Sequence, residues 1–195
     1  MILSNLSEKE LINAYIKGNE LAIEQLILTH KNKVYSYIYY KIKDEDLAED
    51  IFQDTFIKAI NTIKKGKYND EGKFLPWVMR IAHNLIIDHY RKNSRMPMVK
   101  GNSEFDIFDI IPSNDKNKHE QIEAEQIHDR LKKLVKHLPH DQKEVLMMRI
   151  YFDMSFKEIS EMTNVSINTA LGRMRYALIN LRKMAEEKNI TYSIS

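Results

Sequence analysis

The stretch SFKEISEMTNVSINTALGRMRYALINLRK, from Ser155 to Lys183, brings together residues suited to reading a DNA duplex. On a helical wheel of its second half, Ile167, Ala170, Met174, Ala177, Leu178 and Leu181 share one arc. Asn168, Gly172, Arg175, Tyr176 and Lys183 fall on the other, with Thr169, Arg173 and Arg182 at its margins. Asparagine can pair with adenine and arginine with guanine in the major groove, while lysine and threonine bind phosphate. From Ile167 to Met184 there are four bases and no acid to oppose such contacts. Gly172 lowers helix propensity, and close approach to a DNA backbone is one reason to keep it. A surface helix of an ordinary bundle is the alternative that these residues alone leave open.

A second constellation lies in FLPWVMRIAHNLIIDHYRK. Trp77, Arg80, Asn84, Asp88 and Arg91 line one face, away from a core face of Val78, Ile81, Ala82, Leu85 and His89. Tryptophan beside arginine and asparagine can stack on an unpaired base and hold its backbone. Packing of Trp77 against a neighbouring helix competes with that reading, and periodicity slightly favours packing. In a third group, Asp50, Gln53, Asp54 and Ile57 have i, i+3, i+4, i+7 spacing, separate from a core face of Ala48, Phe52, Phe56 and Ala59. Two acids and an amide beside an isoleucine disfavour nucleic acid and suit either a basic protein surface or plain solvation.

Other chemistry is thinly represented. Cysteine is absent, which removes disulfides and thiolate metal sites. A ferritin-like metal bundle needs two E-x-x-H motifs on facing helices, and only Glu125 with His128 supplies one. No nucleophile–base pair or phosphate loop stands out, so no catalytic residue, metal ligand or cofactor is expected.

The elements that position these groups are helices. Five glycines and four prolines in 195 residues, with 43% hydrophobic and 30% charged content, describe a globular, helix-rich chain. Net charge is only +2, but its distribution is uneven: Asp44 to Asp54 holds six acids and no base, Lys73 to Lys100 six bases and one acid. Ser7 and Glu10 form a capping box that starts a helix near Glu8. Further helices are expected at about 20–41, 46–63 and 75–92, the last with Pro76 in its first turn. Residues 94–119, with Pro97, Gly101 and Pro112, read as a linker whose apolar centre FDIFDII is suited to docking or a short turn. Four helices follow at about 120–137, 141–152, 156–162 and 167–187. Ser155 with Glu158 caps the third of these. Asn164 makes the reversal, Val165 locks the pair, and Ser166 caps the last. The expectation is an all-α protein of two small helical domains, 1–93 and 120–195, the second a helix-turn-helix, joined by a flexible linker. With no signal peptide or membrane-length apolar run at its start, a cytoplasmic protein without membrane insertion is expected.

Taken together, DLAEDIFQDTFIKAI, FLPWVMRIAHNLIIDHYRK and LPHDQKEVLMMRIYFDMSFKEISEMTNVSINTALGRMRYALINLRK resemble the small extracytoplasmic-function (ECF) type of RNA polymerase sigma factor, in the sigma-70 family. The middle segment is similar to that family's W-x-x-R-I-A-x-N-x-x-x-D-x-x-R pattern. Three such motifs in this order across a linker are far more specific than any one. The resemblance implies that Asp50, Gln53, Asp54 and Ile57 contact core RNA polymerase. It implies that Trp77, Arg80, Asn84, Arg91 and Lys92 engage single-stranded DNA of the start-proximal (−10) element. The loop from Lys65 to Lys73, with Tyr68 and Asn69, would help to select a flipped base. The helix after Ser166 would enter the duplex of the upstream (−35) element, using Ser166, Asn168, Thr169, Gly172, Arg173, Arg175, Tyr176 and Lys183. The linker would thread toward the polymerase active centre. Leu171, Gly172 and Tyr176 depart from the residues common at those positions, so no upstream motif carries over. A controlling anti-sigma factor is left open. The rival readings are a helix-turn-helix regulator acting without polymerase and, remotely, the metal bundle.

Overall fold

The structure is a computed structural model that describes residues 6–69, 73–92 and 130–187. Every regular element in those residues is helical. The helices are α1 (Glu8–Ile16), α2 (Glu20–Ile42), α3 (Glu45–Lys64), α4 (Phe74–Lys92), α5 (130–136), α6 (His140–Ile150), α7 (Phe156–Thr163) and α8 (Ile167–Glu187). The chain divides into two compact units, Met1–Ile111 and Pro112–Ser195. The expected linker at 94–119, its FDIFDII centre, the helix expected from residue 120 as far as 129, and the pair Glu125 and His128 lie outside the described residues.

Local chemistry accounts for where the helices begin. The Ser7–Glu10 box is complete: Glu10 N donates to Ser7 Oγ at 3.3 Å and Ser7 N donates to Glu10 Oε2 at 2.8 Å. Asn19 and Asp44 cap α2 and α3 through the amides of Leu21 and Leu47. Ser155 and Glu158 form a second complete box at α7. Asn164 ends α7 in the left-handed region, φ 53° and ψ 41°, where asparagine is better tolerated than most residues. Ser166 then opens α8 by accepting from Thr169 N at 3.0 Å.

In the first unit, α1, α2, α3 and α4 pack about one core, with Ile12, Leu26, Ile38, Ile63, Phe74 and Met79 almost wholly buried. The buried arc of α4 is rotated from the expected one. Phe74, Leu75, Val78, Met79, Ala82 and Ile86 are buried, whereas Ile81, Leu85 and His89 are half-buried. The cause is that α4 packs against both α2 and α3, which widens its buried arc toward Leu75, Met79 and Ile86. Leu21, in the first turn of α2, is 61% exposed.

In the second unit, α6, α7 and α8 enclose a core rich in methionine: Met147, Met148, Met154 and Met162 are all buried. Leu134, Phe152 and Ile159 complete it. Helix α8 presents Ala170, Ala177 and Ala185 inward. These small side chains let it lie close to α6 and α7. Ile167 and Leu178, expected on that inner arc, are instead 44% and 48% exposed.

Candidate nucleic-acid and protein interfaces

On α3 the inward residues Ala48, Ile51, Thr55, Phe56, Ala59 and Ile63 fix the helix's rotation. The Thr55 hydroxyl donates to Ile51 O at 2.6 Å, so its burial leaves no orphaned donor. That rotation turns Asp50, Gln53, Asp54 and Ile57 outward, and Ile57 is 56% exposed. Gln53 Nε2 donates to Glu49 Oε1 at 3.1 Å, which orients the amide along the acidic edge. An open groove of about 500 Å³ continues from Asp54 and Ile57 past Lys58 and Asn61 to Lys65, Lys67 and Leu85. An exposed isoleucine framed by acids on one side and lysines on the other makes this edge amphipathic.

On α4, Arg80, Asn84, Asp88, Arg91 and Lys92 are exposed on the face turned from the core. Trp77 is half-buried, as the expected packing requires, and part of the side chain remains accessible. Its ring lies 4.5 Å from that of Tyr68 at 63° and 5.9 Å from that of Phe74 at 50°. Tyr68 is half-buried beside it and Asn69 is exposed. The result is an aromatic step at the start of α4 with cations and an amide farther along. His83 Nδ1 lies 2.9 Å from the Tyr37 hydroxyl, and Tyr90 OH donates to Lys41 O at 3.2 Å, so α4 is fastened to α2 at two points.

In the second unit, α8 has three faces rather than two. The inner face is its alanines. Arg173, 25% exposed, is drawn toward α6 by an ion pair with Asp141, and Asn180 Nδ2 donates to Gln142 Oε1 at 2.8 Å. A second face carries exposed Asn168, Thr169, Tyr176 and Lys183 with Gly172 among them. A Cβ built on Gly172 meets no atom within 4 Å, so packing in the free protein does not require glycine there. The third face is apolar and was missed from sequence: Leu171, Met174, Leu178 and Ile179, with Phe156 of α7, line an open groove edged by Arg175 and Arg182. Leucines at i, i+7 interleaved with arginines at i+4 and i+11 were its signal in the sequence. Arg149 braces the turn before α7 by donating to Met154 O at 2.9 Å, and its guanidinium lies 5.7 Å from the Phe156 ring.

Among the described residues no group of three or more His, Cys, Asp or Glu side chains is placed to hold a metal ion. None of the described helices is long and apolar enough to cross a membrane.

The chain thus has a helical unit with an acidic edge and an aromatic–cationic face, followed by a helix-turn-helix unit. Comparison with known proteins makes the class specific. Residues 26–96 match the family described as Sigma-70 region 2, and residues 128–176 match Sigma-70, region 4. The chain is 26% identical to the ECF RNA polymerase sigma factor SigW of Bacillus subtilis over 183 residues, 92% of this chain and 97% of that protein. It is 23% identical to the ECF RNA polymerase sigma-E factor of Haemophilus influenzae, over 94% of this chain and 95% of that protein. Among solved structures its fold is similar to that of CnrH, solved in complex with the cytosolic domain of CnrY. That likeness has a TM-score of 0.50 and 20% identity and covers 92% of this chain and 97% of the other. The chain belongs to the sigma-70 family of RNA polymerase sigma factors, in its ECF type. It is a sigma factor and directs transcription initiation, which sets aside the regulator acting without polymerase. Sigma factors are generally not enzymes.

Proposed function

We propose that each function is carried by a separate surface. The acidic edge of α3, with Asp50, Gln53, Asp54 and Ile57, docks on a basic surface of core RNA polymerase. The face of α4, with Trp77, Arg80, Asn84, Arg91 and Lys92, captures the unpaired strand of the −10 element, and Tyr68 and Asn69 help to select a flipped base. On α8, Ser166, Asn168, Thr169, Gly172, Arg173, Arg175, Tyr176 and Lys183 read and grip the −35 duplex. In this reading residues 1–93 bind polymerase and melt the promoter, residues 120–195 read duplex, and the linker threads toward the active centre.

The observation that carries this reading is the segregation of chemistry within the first unit. Acids and an exposed isoleucine lie on α3, and an aromatic step with cations lies on α4. Opening becomes favourable because the melted strand gains stacking on Tyr68 and Trp77, at about 1–3 kcal/mol per stacked base, in place of the stacking it loses. The protein acts by binding, in the cytoplasm, and performs no reaction of its own. An anti-sigma partner belongs to this reading, since the similar protein CnrH was solved with the cytosolic domain of CnrY.

Promoter-directed transcription with purified core polymerase tests the whole. Asp54→Lys is expected to weaken holoenzyme formation while circular dichroism stays unchanged. Trp77→Ala is expected to keep holoenzyme formation and lose strand opening. Normal holoenzyme formation by Asp54→Lys would remove the acidic edge from its assigned role.

A further inference from the structure

Helix α4 has no cap of its own among the described residues. Lys73, immediately before it, has no acceptor side chain, and Pro76 gives the first turn no N–H. The first helical bond, Trp77 N to Lys73 O, is long at 3.4 Å. The partner that the Phe74 amide needs comes from 66 residues away: it donates to Glu8 Oε2 of α1 at 2.9 Å. A carboxylate at a helix N-terminus also meets the positive end of the helix dipole. The other oxygen, Glu8 Oε1, lies 2.8 Å from His30 Nε2 of α2. His30 is buried, its ring lies 5.7 Å from that of Phe74, and neither ring nitrogen makes a well-directed hydrogen bond. Phe74 packs on Trp77, and Trp77 on Tyr68. A continuous path therefore runs from Glu8 through Phe74 to the aromatic step.

We propose that Glu8 is a positioning residue for promoter opening: it holds the first turn of α4 so that Tyr68 and Trp77 are set to receive the unpaired strand. This rests on the reading of Trp77 given under Proposed function. Glu8 lies before residue 26, where the family match begins, so the device is supplied by a helix outside the matched segment. The charged and titratable groups facing Glu8 are His30 and Lys33, both on α2, with the amide end of α4 opposite. Burial pushes the Glu8 carboxyl up. The contact with His30, the Phe74 amide and the electrostatic influence of His30 and Lys33 outweigh it and leave the carboxyl below its ordinary value. The ionised carboxylate is therefore the form the fold favours. The hold is complete above the ordinary glutamate range and is lost as pH falls through the lowered value.

Trp77 is the single tryptophan of the chain, so its fluorescence reports on this turn without labelling. Glu8→Ala, Glu8→Gln and Trp77→Ala are compared in the full chain. Three quantities are measured: Trp emission where Trp77 remains, holoenzyme formation, and holoenzyme affinity for a −10 single strand. Glu8→Ala is expected to shift the emission and weaken strand binding about ten-fold, the loss of one stacked base, with holoenzyme formation unchanged. Glu8→Gln, whose amide oxygen still accepts from Phe74, is expected to fall between. On acidification the emission of the free wild-type protein should change as Glu8 protonates, and that component should be missing in Glu8→Gln. Unaltered emission and strand binding in Glu8→Ala, with strand binding lost in Trp77→Ala, overturns the proposal alone. Equal losses of holoenzyme and strand binding in Glu8→Ala also overturn it, because Glu8 then serves only the fold. Should Glu8→Ala fail to fold, an emission-against-pH curve for Glu8→Gln that matches the wild type overturns it instead. Strand binding retained by Trp77→Ala removes the underlying reading and the proposal with it.

Discussion

Gly172 and Arg175 make separable demands on one helix. The space beside Gly172 is open, so Gly172→Ala relieves a propensity cost without a clash in the free protein. Its expected effect is about 0.8–1.0 kcal/mol of added stability in denaturant unfolding. If the glycine is there for close approach to DNA, the same variant weakens −35 binding, so stability and affinity move in opposite directions. Arg175 is exposed at the rim of the apolar groove, next to the polar face of α8. Arg175→Ala is expected to cost about 1–3 kcal/mol of −35 duplex binding in a titration if it pairs with a base. Unchanged affinity would leave Arg175 as an edge of the groove. Arg173 differs, because its guanidinium is shared with Asp141 of α6 and part of any loss on truncation would be a loss of packing.

At the scale of elements, the helices with local start signals were the most legible. The boxes at Ser7 and Ser155 and the reversal at Asn164 were each readable from a few neighbouring residues, and the helices begin where those signals stand. Helix rotation was less legible. A wheel assumes one buried arc of fixed width, whereas α4 meets two partners and α8 covers its inner arc with alanines, leaving Ile167, Leu171 and Leu178 outside. The Glu8–Phe74 bond was not legible at all, since no local pattern joins groups 66 residues apart. Asn164 gives the element-scale test. With φ at 53°, Asn164→Gly should be tolerated. Asn164→Val should lose about 1–2 kcal/mol in chemical unfolding, because a branched side chain crowds the carbonyl in the left-handed region.

For the whole molecule, the proposed duplex and single-strand surfaces lie on different compact units, and core polymerase bound to the protein would present both to one promoter at once. Free protein should therefore bind a promoter fragment weakly, and adding core polymerase should tighten binding by roughly 10²-fold or more, readable in one gel-shift series. Equal affinity with and without polymerase would mean that one unit does all the binding. The second unit's core carries a further consequence. Met147, Met148, Met154 and Met162 are shielded thioethers, and peroxide can convert a thioether to a polar sulfoxide only where it can reach it. The folded unit keeps oxidant out of this core, while each transient opening exposes four reactive sulfurs whose products no longer fit the space they left. Under mild peroxide, sulfoxide accumulation at these four methionines, resolved from that at the accessible Met174 and Met184 by peptide mapping, is thus a clock for that opening, and a bound duplex should slow it.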